Sequence, residues 1–283
     1  MPESSSPSAT TKPPSDESAD ANSRFELRVR VRVRDIIAFS SALPAVIAAA
    51  LSLAASHALG ATEITRSAVL AASGTFVVYG LDRLRDLPRD RVNSPKRTHF
   101  VESHSRAISL AVGCAGVILA AALLTAPIPV VTLCLGVGAI GLLHRRLKGS
   151  DPLKSIYVSL SWVCVCVAIP AITHWNGPRF AWVAAVFLAA IGANLLASNS
   201  VDTLPGRGQR PRDSILACAR VLAGVGVLIA WLAPPPLMPL GWIPLAEAFA
   251  LAFFRPDEYF EHLAVDGALL VGALGYLLHT ALS

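Results

Sequence analysis

Nine apolar runs follow one another along the chain, at about 36–58, 64–81, 105–126, 127–143, 155–175, 180–199, 214–233, 236–254 and 260–282. Each is close to the length an α-helix rising 1.5 Å per residue needs to cross a hydrocarbon layer of ~30 Å. Only 15% of the residues are charged and 54% are hydrophobic, with a mean hydropathy of +0.56. Soluble domains carry roughly 25% charged residues. A soluble core cannot hide this much apolar surface, so the expected fold is all-α: a polytopic transmembrane bundle of about nine helices over residues 36–283. The tightest connections fall at Pro127 and Pro129, and at Pro234, Pro235 and Pro236, where two runs meet with almost no loop.

The charges give this bundle a direction. With the N-terminus inside, the inner segments 1–35, 82–104, 144–154, 200–213 and 255–259 hold nearly all of the 24 Lys and Arg residues, and the outer ones hold Arg66 and Arg179. That asymmetry predicts a cytoplasmic N-terminus and an outside C-terminus. The Ala-rich composition fits a bacterial inner membrane. The net charge of +5 is read as inner-side anchoring, with no nucleic-acid partner. Residues 1–24 are rich in Ser, Pro, Asp and Glu, and are expected to form a disordered tail rather than a targeting signal. Residues 25–35, with Arg28, Arg30, Arg32 and Arg34 alternating with valines, are a basic juxtamembrane segment able to meet membrane lipid. The five cysteines lie inside apolar runs without a C-x-x-C, and are expected to be packing residues.

Three inner clusters can carry chemistry. The first has Asp82, Asp86 and Asp90 at four-residue spacing. Residues four apart share a helix face about 6 Å from one another, and carboxylates so placed repel unless a cation sits between them. Magnesium held by carboxylates and substrate phosphates is one solution; pairing with Arg83, Arg85, Arg89 and Arg91 is the other. Pro88 is expected to end the helix before Asp90. The second cluster, Asn194, Ser198, Asn199 and Asp202, gathers polar groups at the inner end of the sixth run, where such groups are costly and often functional. The third is basic: His144, Arg145, Arg146, Lys148 and Lys154. Acids and bases on one membrane face suit a diphosphate held by Mg²⁺ and flanking cations.

The order of these clusters resembles the UbiA superfamily of intramembrane prenyltransferases, which have nine helices and aspartate-rich motifs after the second and sixth. The family's first motif, N-D-x-x-D-x-x-x-D followed by R-x-N-x-P-x-R, is similar to Asp82-Arg83-Leu84-Arg85-Asp86-Leu87-Pro88-Arg89-Asp90, continued by Arg91-Val92-Asn93-Ser94-Pro95-Lys96-Arg97. Asp82 stands at the asparagine position and Arg83 replaces the first aspartate. The stretch ending Leu147-Lys148 resembles the family's tyrosine-and-lysine loop, with His144 near the tyrosine position. In the second motif, Asn199-Ser200-Val201-Asp202, only Asp202 keeps its acid.

The resemblance implies a Mg²⁺-dependent prenyltransferase that moves an isoprenyl group from a diphosphate donor to an aromatic or lipid-like hydrophobic acceptor. It implies Asp82, Asp86, Asp90 and Asp202 as metal ligands, with Asp86, Asp90 and Asp202 essential to catalysis. Asn93, Arg97, His144, Lys148 and Asn199 would be substrate-binding, and Arg97 and Lys148 would stabilise the departing diphosphate. The worn second motif supports an alternative, a non-catalytic UbiA-fold protein that binds or moves an isoprenoid or lipid. A CDP-alcohol phosphotransferase is disfavoured because Leu87-Pro88 follows Asp86 where that family has its D-G-x-x-A-R core. A transporter would draw on the intramembrane acids Glu247 and Asp266, but no repeat of runs is visible.

Overall fold

The computed structural model describes residues 33–87, 91, 94–147, 151–201, 212–255 and 257–283. Every described element is a helix. A short α1 (Val33–Phe39) leads into α2 (Ala42–Leu59) and α3 (Ile64–Arg85). Then come α4 (Pro95–Ser103), α5 (Ser105–Leu124) and α6 (Ile128–Leu147). The following path is α7 (Asp151–Val163), a π-turn (Cys164–Ala168) and α8 (Ile169–Thr173). α9 (Gly177–Val201) and α10 (Arg212–Leu232) are long helices. The chain closes with a 3₁₀ segment (Pro235–Gly241), α11 (Trp242–Ala252), α12 (Glu258–Phe260), a second π-turn (Glu261–Val265) and α13 (Asp266–Leu282).

Among the described residues, seven helical stretches are long and apolar enough to cross a membrane: Ala42–Leu59, Ile64–Arg85, Ser105–Leu124, Ser155–Thr173, Gly177–Ser200, Asp213–Leu232 and Glu258–Leu282. These coincide with seven of the nine apolar runs. The run at 127–143 is helical, but its apolar part, Ile128–Gly141, is shorter. The run at 236–254 is composite, because Pro235, Pro236 and Pro239 lack the N–H that an α-helix needs and the chain takes a 3₁₀ path as far as Gly241. The break within 155–175 has a similar cause. Pro170 offers no N–H to the carbonyl four residues earlier, and the widened turn Cys164–Ala168 stands just before it.

The core is built from small residues. Ala48, Leu51, Ala54 and Ala55 of α2 meet Cys166 and Val167 of the π-turn, Phe187 and Ala190 of α9, and Ala273 and Tyr276 of α13. Small side chains let helix backbones approach closely, which is how helices pack where surrounding lipid is as apolar as the core. At Gly272 of α13 the approach is closest: a Cβ there would lie 2.5 Å from Ile243 Cα and 2.7 Å from the Trp242 carbonyl oxygen. α2 and the last helical stretch run parallel. At one end the Tyr259 hydroxyl donates to Asp35 Oδ1 at 2.8 Å, and at the other His57 Nδ1 meets the Tyr276 hydroxyl at 3.1 Å.

Candidate functional site

The expected site lies where α3 ends. The helix stops at Arg85 and Asp86 forms its C-cap, with its N–H donating to the Asp82 carbonyl, so the break comes two residues ahead of Pro88. Asp86 is only 5% exposed. A helix C-terminus carries about half a unit of negative charge from its unpaired carbonyls. Asp82 and Asp86 add carboxylates to that end, and Arg83 and Arg85 in the same turn add as many positive charges.

Arg83 turns inward from the motif. It is 8% exposed and its guanidinium donates to the Phe39 carbonyl at the end of α1. It therefore ties the leading helix to the motif end of α3. Arg91 also points elsewhere, donating from Nε and Nη2 to Glu102 Oε1 at 2.9 and 2.6 Å.

Arg97 sits in the first turn of α4, which starts with Pro95 at a position where a missing N–H costs nothing. The free N–H groups of this turn are taken by Glu258: Arg97 N donates to Glu258 Oε2 at 3.1 Å and Lys96 N to Oε1 at 3.4 Å. Beside this contact, Lys96 Nζ donates to Asp257 Oδ1 at 2.9 Å, and Asp257 also caps α12 by accepting from the N–H groups of Tyr259 and Phe260. The hydrogen bond holds the Asp257 carboxyl below its ordinary range and the Lys96 ammonium above its own. Tyr259 completes a clasp, with the Arg34 guanidinium 3.5 Å and Lys96 Nζ 4.9 Å from its ring centre. The charged face of α4 is thus fixed to the start of the last span.

The second motif begins near the start of α7. Asn199 Nδ2 donates to Ser155 Oγ at 2.5 Å, and Ser155 is buried. Further along α7, Trp162 Nε1 donates to the Tyr79 hydroxyl of α3 at 3.0 Å. α7 thus joins the helices carrying the first and second motifs. Asp90, Asn93, Lys148 and Asp202 lie outside the described residues. The backbone of His144 lies in α6, but its side chain is outside the description. Among the described residues no group of three or more His, Cys, Asp or Glu stands together as a metal site. Asp82 and Asp86 are the two described carboxylates of the expected set, and their hard oxygens fit Mg²⁺, which keeps water and phosphate as its remaining ligands.

Two features escaped the sequence reading. One is the acidic pair Asp257 and Glu258, counted only as part of a short inner segment. The other is His262, whose Nδ1 lies 3.2 Å from Asp266 Oδ2. The signal for it was present as a histidine and an aspartate four apart, one helical turn. His262 is 7% exposed and stands edge-on to the Phe39 ring, 6.1 Å between ring centres. Glu247 of α11 is fully buried, with Asn194 and Asp266 as polar neighbours.

No protein-family model matches this sequence, and no curated protein or solved structure proves similar to it.

Proposed function

We propose that the chain is a membrane-embedded, Mg²⁺-dependent prenyltransferase of UbiA type, taking an isoprenyl diphosphate as donor and a hydrophobic aromatic or lipid molecule as acceptor. The observation that carries this reading is the pairing of two elements on one side of the bundle. The C-terminal end of α3 bears Asp82 and buried Asp86, and the α4 turn bears Arg97, whose N–H is held by Glu258 of the last span. In this reading Asp82 and Asp86, with Asp90 and Asp202, hold Mg²⁺, which neutralises the diphosphate when bound. Arg97 and Lys148 take up the negative charge that grows on the leaving diphosphate, while Asn93, His144 and Asn199 orient the donor. The apolar bundle keeps water from the allylic cation.

The parallel course of α2 and the last span supports an odd number of crossings, nine in this reading, and the Lys/Arg asymmetry supports a cytoplasmic N-terminus and an outside C-terminus, in what the Ala-rich composition suggests is a bacterial inner membrane. A reporter fused after Ser283 should read the outer side, and an inner-side signal overturns the topology. A second reading, a non-catalytic isoprenoid- or lipid-binding protein, draws support from Asn199, which is hydrogen-bonded to Ser155. Calorimetric titration with Mg²⁺ and geranylgeranyl diphosphate separates the two. The enzyme reading expects Mg²⁺-dependent binding that Asp86→Ala abolishes and Arg83→Asp strengthens. No Mg²⁺-dependent binding by the wild type, across several donor lengths, removes that reading.

A further inference from the structure

Transfer of a prenyl group to a phenol or an aromatic ring replaces a hydrogen, so a proton must leave the acceptor. In a bundle that excludes water, the departing diphosphate or a side chain of the protein can take that proton. Asp82 and Asp86 are committed to metal and diphosphate in the proposed reaction, so a side-chain base would come from another element.

His262 has the geometry for this task. It lies in the π-turn Glu261–Val265, a widened turn that recurs at functional positions in helices. Its Nδ1 faces Asp266 Oδ2 at 3.2 Å, an arrangement that sets the tautomer and leaves Nε2 for a second partner. Burial to 7% exposure keeps it from bulk water. It also stands next to the proposed donor site, because its ring lies edge-on to Phe39, 6.1 Å between ring centres, and Arg83 of α3 donates to the Phe39 carbonyl. Of the other charged groups on elements packed against this turn, Glu247 of α11 is within electrostatic reach of Asp266, while Asp35 and Arg34 of α1 are engaged with Tyr259.

We propose that His262 is the general base of the reaction, and that Asp266 is the positioning residue that orients its imidazole. This rests on the prenyltransferase reading above. The allylic C–O bond of the donor breaks and its electron pair leaves with the diphosphate. The allylic carbon then bonds to the acceptor oxygen or ring carbon, and the displaced proton passes to His262 Nε2, giving an imidazolium paired with Asp266. A histidine that served only to stitch one helical turn would affect stability and not the proton balance.

Native membranes containing the full-length protein, and so its own acceptor, would be incubated with labelled geranylgeranyl diphosphate and Mg²⁺, and the lipid extract counted. His262→Asn keeps a donor for Asp266 but removes Nε2. Its transfer rate should fall by ~10²–10⁴, the usual contribution of a general base, with diphosphate binding within about twofold of wild type. Wild-type transfer should decline on acidification as the imidazole takes up a proton, and the residual activity of His262→Asn should not. Added imidazole should restore part of the rate to His262→Ala and none to Asp86→Ala. Asp266→Asn should shift the pH profile and retain more activity than His262→Asn. Transfer by His262→Asn within about threefold of wild type, or with the wild-type pH profile, overturns the proposal while leaving intact the reading it rests on. Wild-type membranes that bind diphosphate but transfer nothing also overturn it. Failure of the wild type to bind diphosphate removes both.

Discussion

α2 and α5 are both long apolar helices, yet 72% of Ala42–Leu59 is buried inside the protein against 11% of Ser105–Leu124. The more apolar of the two is the one left outside. α5 presents Leu110, Val117, Ile118 and Leu124, all more than half exposed, whereas α2 turns alanines and serines inward. In water this would be inverted. In a bilayer, large aliphatic groups gain nothing by leaving lipid, and small residues gain close packing by leaving it. Apolarity therefore reports on contact with the solvent, and residue size reports on contact with other helices.

Substitutions on the two kinds of surface test this contrast. Phe187 is fully buried between α9 and the core around α2, so Phe187→Ala should have the largest effect, a loss of ~3 kcal/mol in thermal or denaturant unfolding of the protein in nanodiscs. Gly272→Ala should come next, at ~1–3 kcal/mol, because the added carbon meets the backbone of Ile243 and Trp242, which cannot rotate away as a side chain would. On α5, Leu110→Ala and Gly113→Ala should each stay within ~0.5 kcal/mol, since Leu110 is 71% exposed and nothing lies within 4 Å of a Cβ at Gly113. A cost at Leu110 equal to that at Phe187 would break the contrast and mark α5 as a face buried by a partner.

The smallest effect belongs to the surface clasp. Lys96 and Asp257 keep side-chain exposures of 49% and 47%, so solvent screening limits their bond to ~0.5 kcal/mol or less. Its pH window follows from the two shifts. The Asp257 carboxyl is depressed by Lys96, so its contribution is complete above the unfolded value of ~3.9 and is lost as pH falls through the lower folded value. The Lys96 ammonium is raised by Asp257, so its share is present below ~10.4 and is lost as pH rises through the higher folded value. Asp257→Asn should flatten both limbs in a pH series of melting temperatures.

The helical regions were legible in the sequence because apolar length alone specifies them. Their division into full spans was less so. At 236–254 hydropathy reads a continuous run, but three prolines substitute a 3₁₀ path for part of it. The lateral order of the helices was not legible, because it depends on contacts such as His57 with Tyr276, 219 residues apart. At the candidate site the aspartate spacing was visible, and Asp82 and Asp86 do lie at one helix end. The use of Arg83 was not, since a charged residue in a charged run gives no sign that it will turn inward to the Phe39 carbonyl. Glu258 was hidden for a similar reason: its partners, the N–H groups of Lys96 and Arg97, are backbone and leave no trace in residue type.

The π-turn at Glu261–Val265 has a consequence for how the last span can change length. Such a turn holds one residue more than an α-helical path would use, and one residue is worth about 100° of rotation. On its near side, Asp257, Glu258 and Tyr259 face α4 and Arg34; on its far side, Gly272 and Tyr276 face α11 and α2. The turn is the phase offset between these two alignments. Deleting one residue within it would return the helix to regular α geometry, but only one of the two alignments could then be kept. Insertions and deletions should therefore be tolerated better in the connection that leads from Phe253 into this span than in the turn itself.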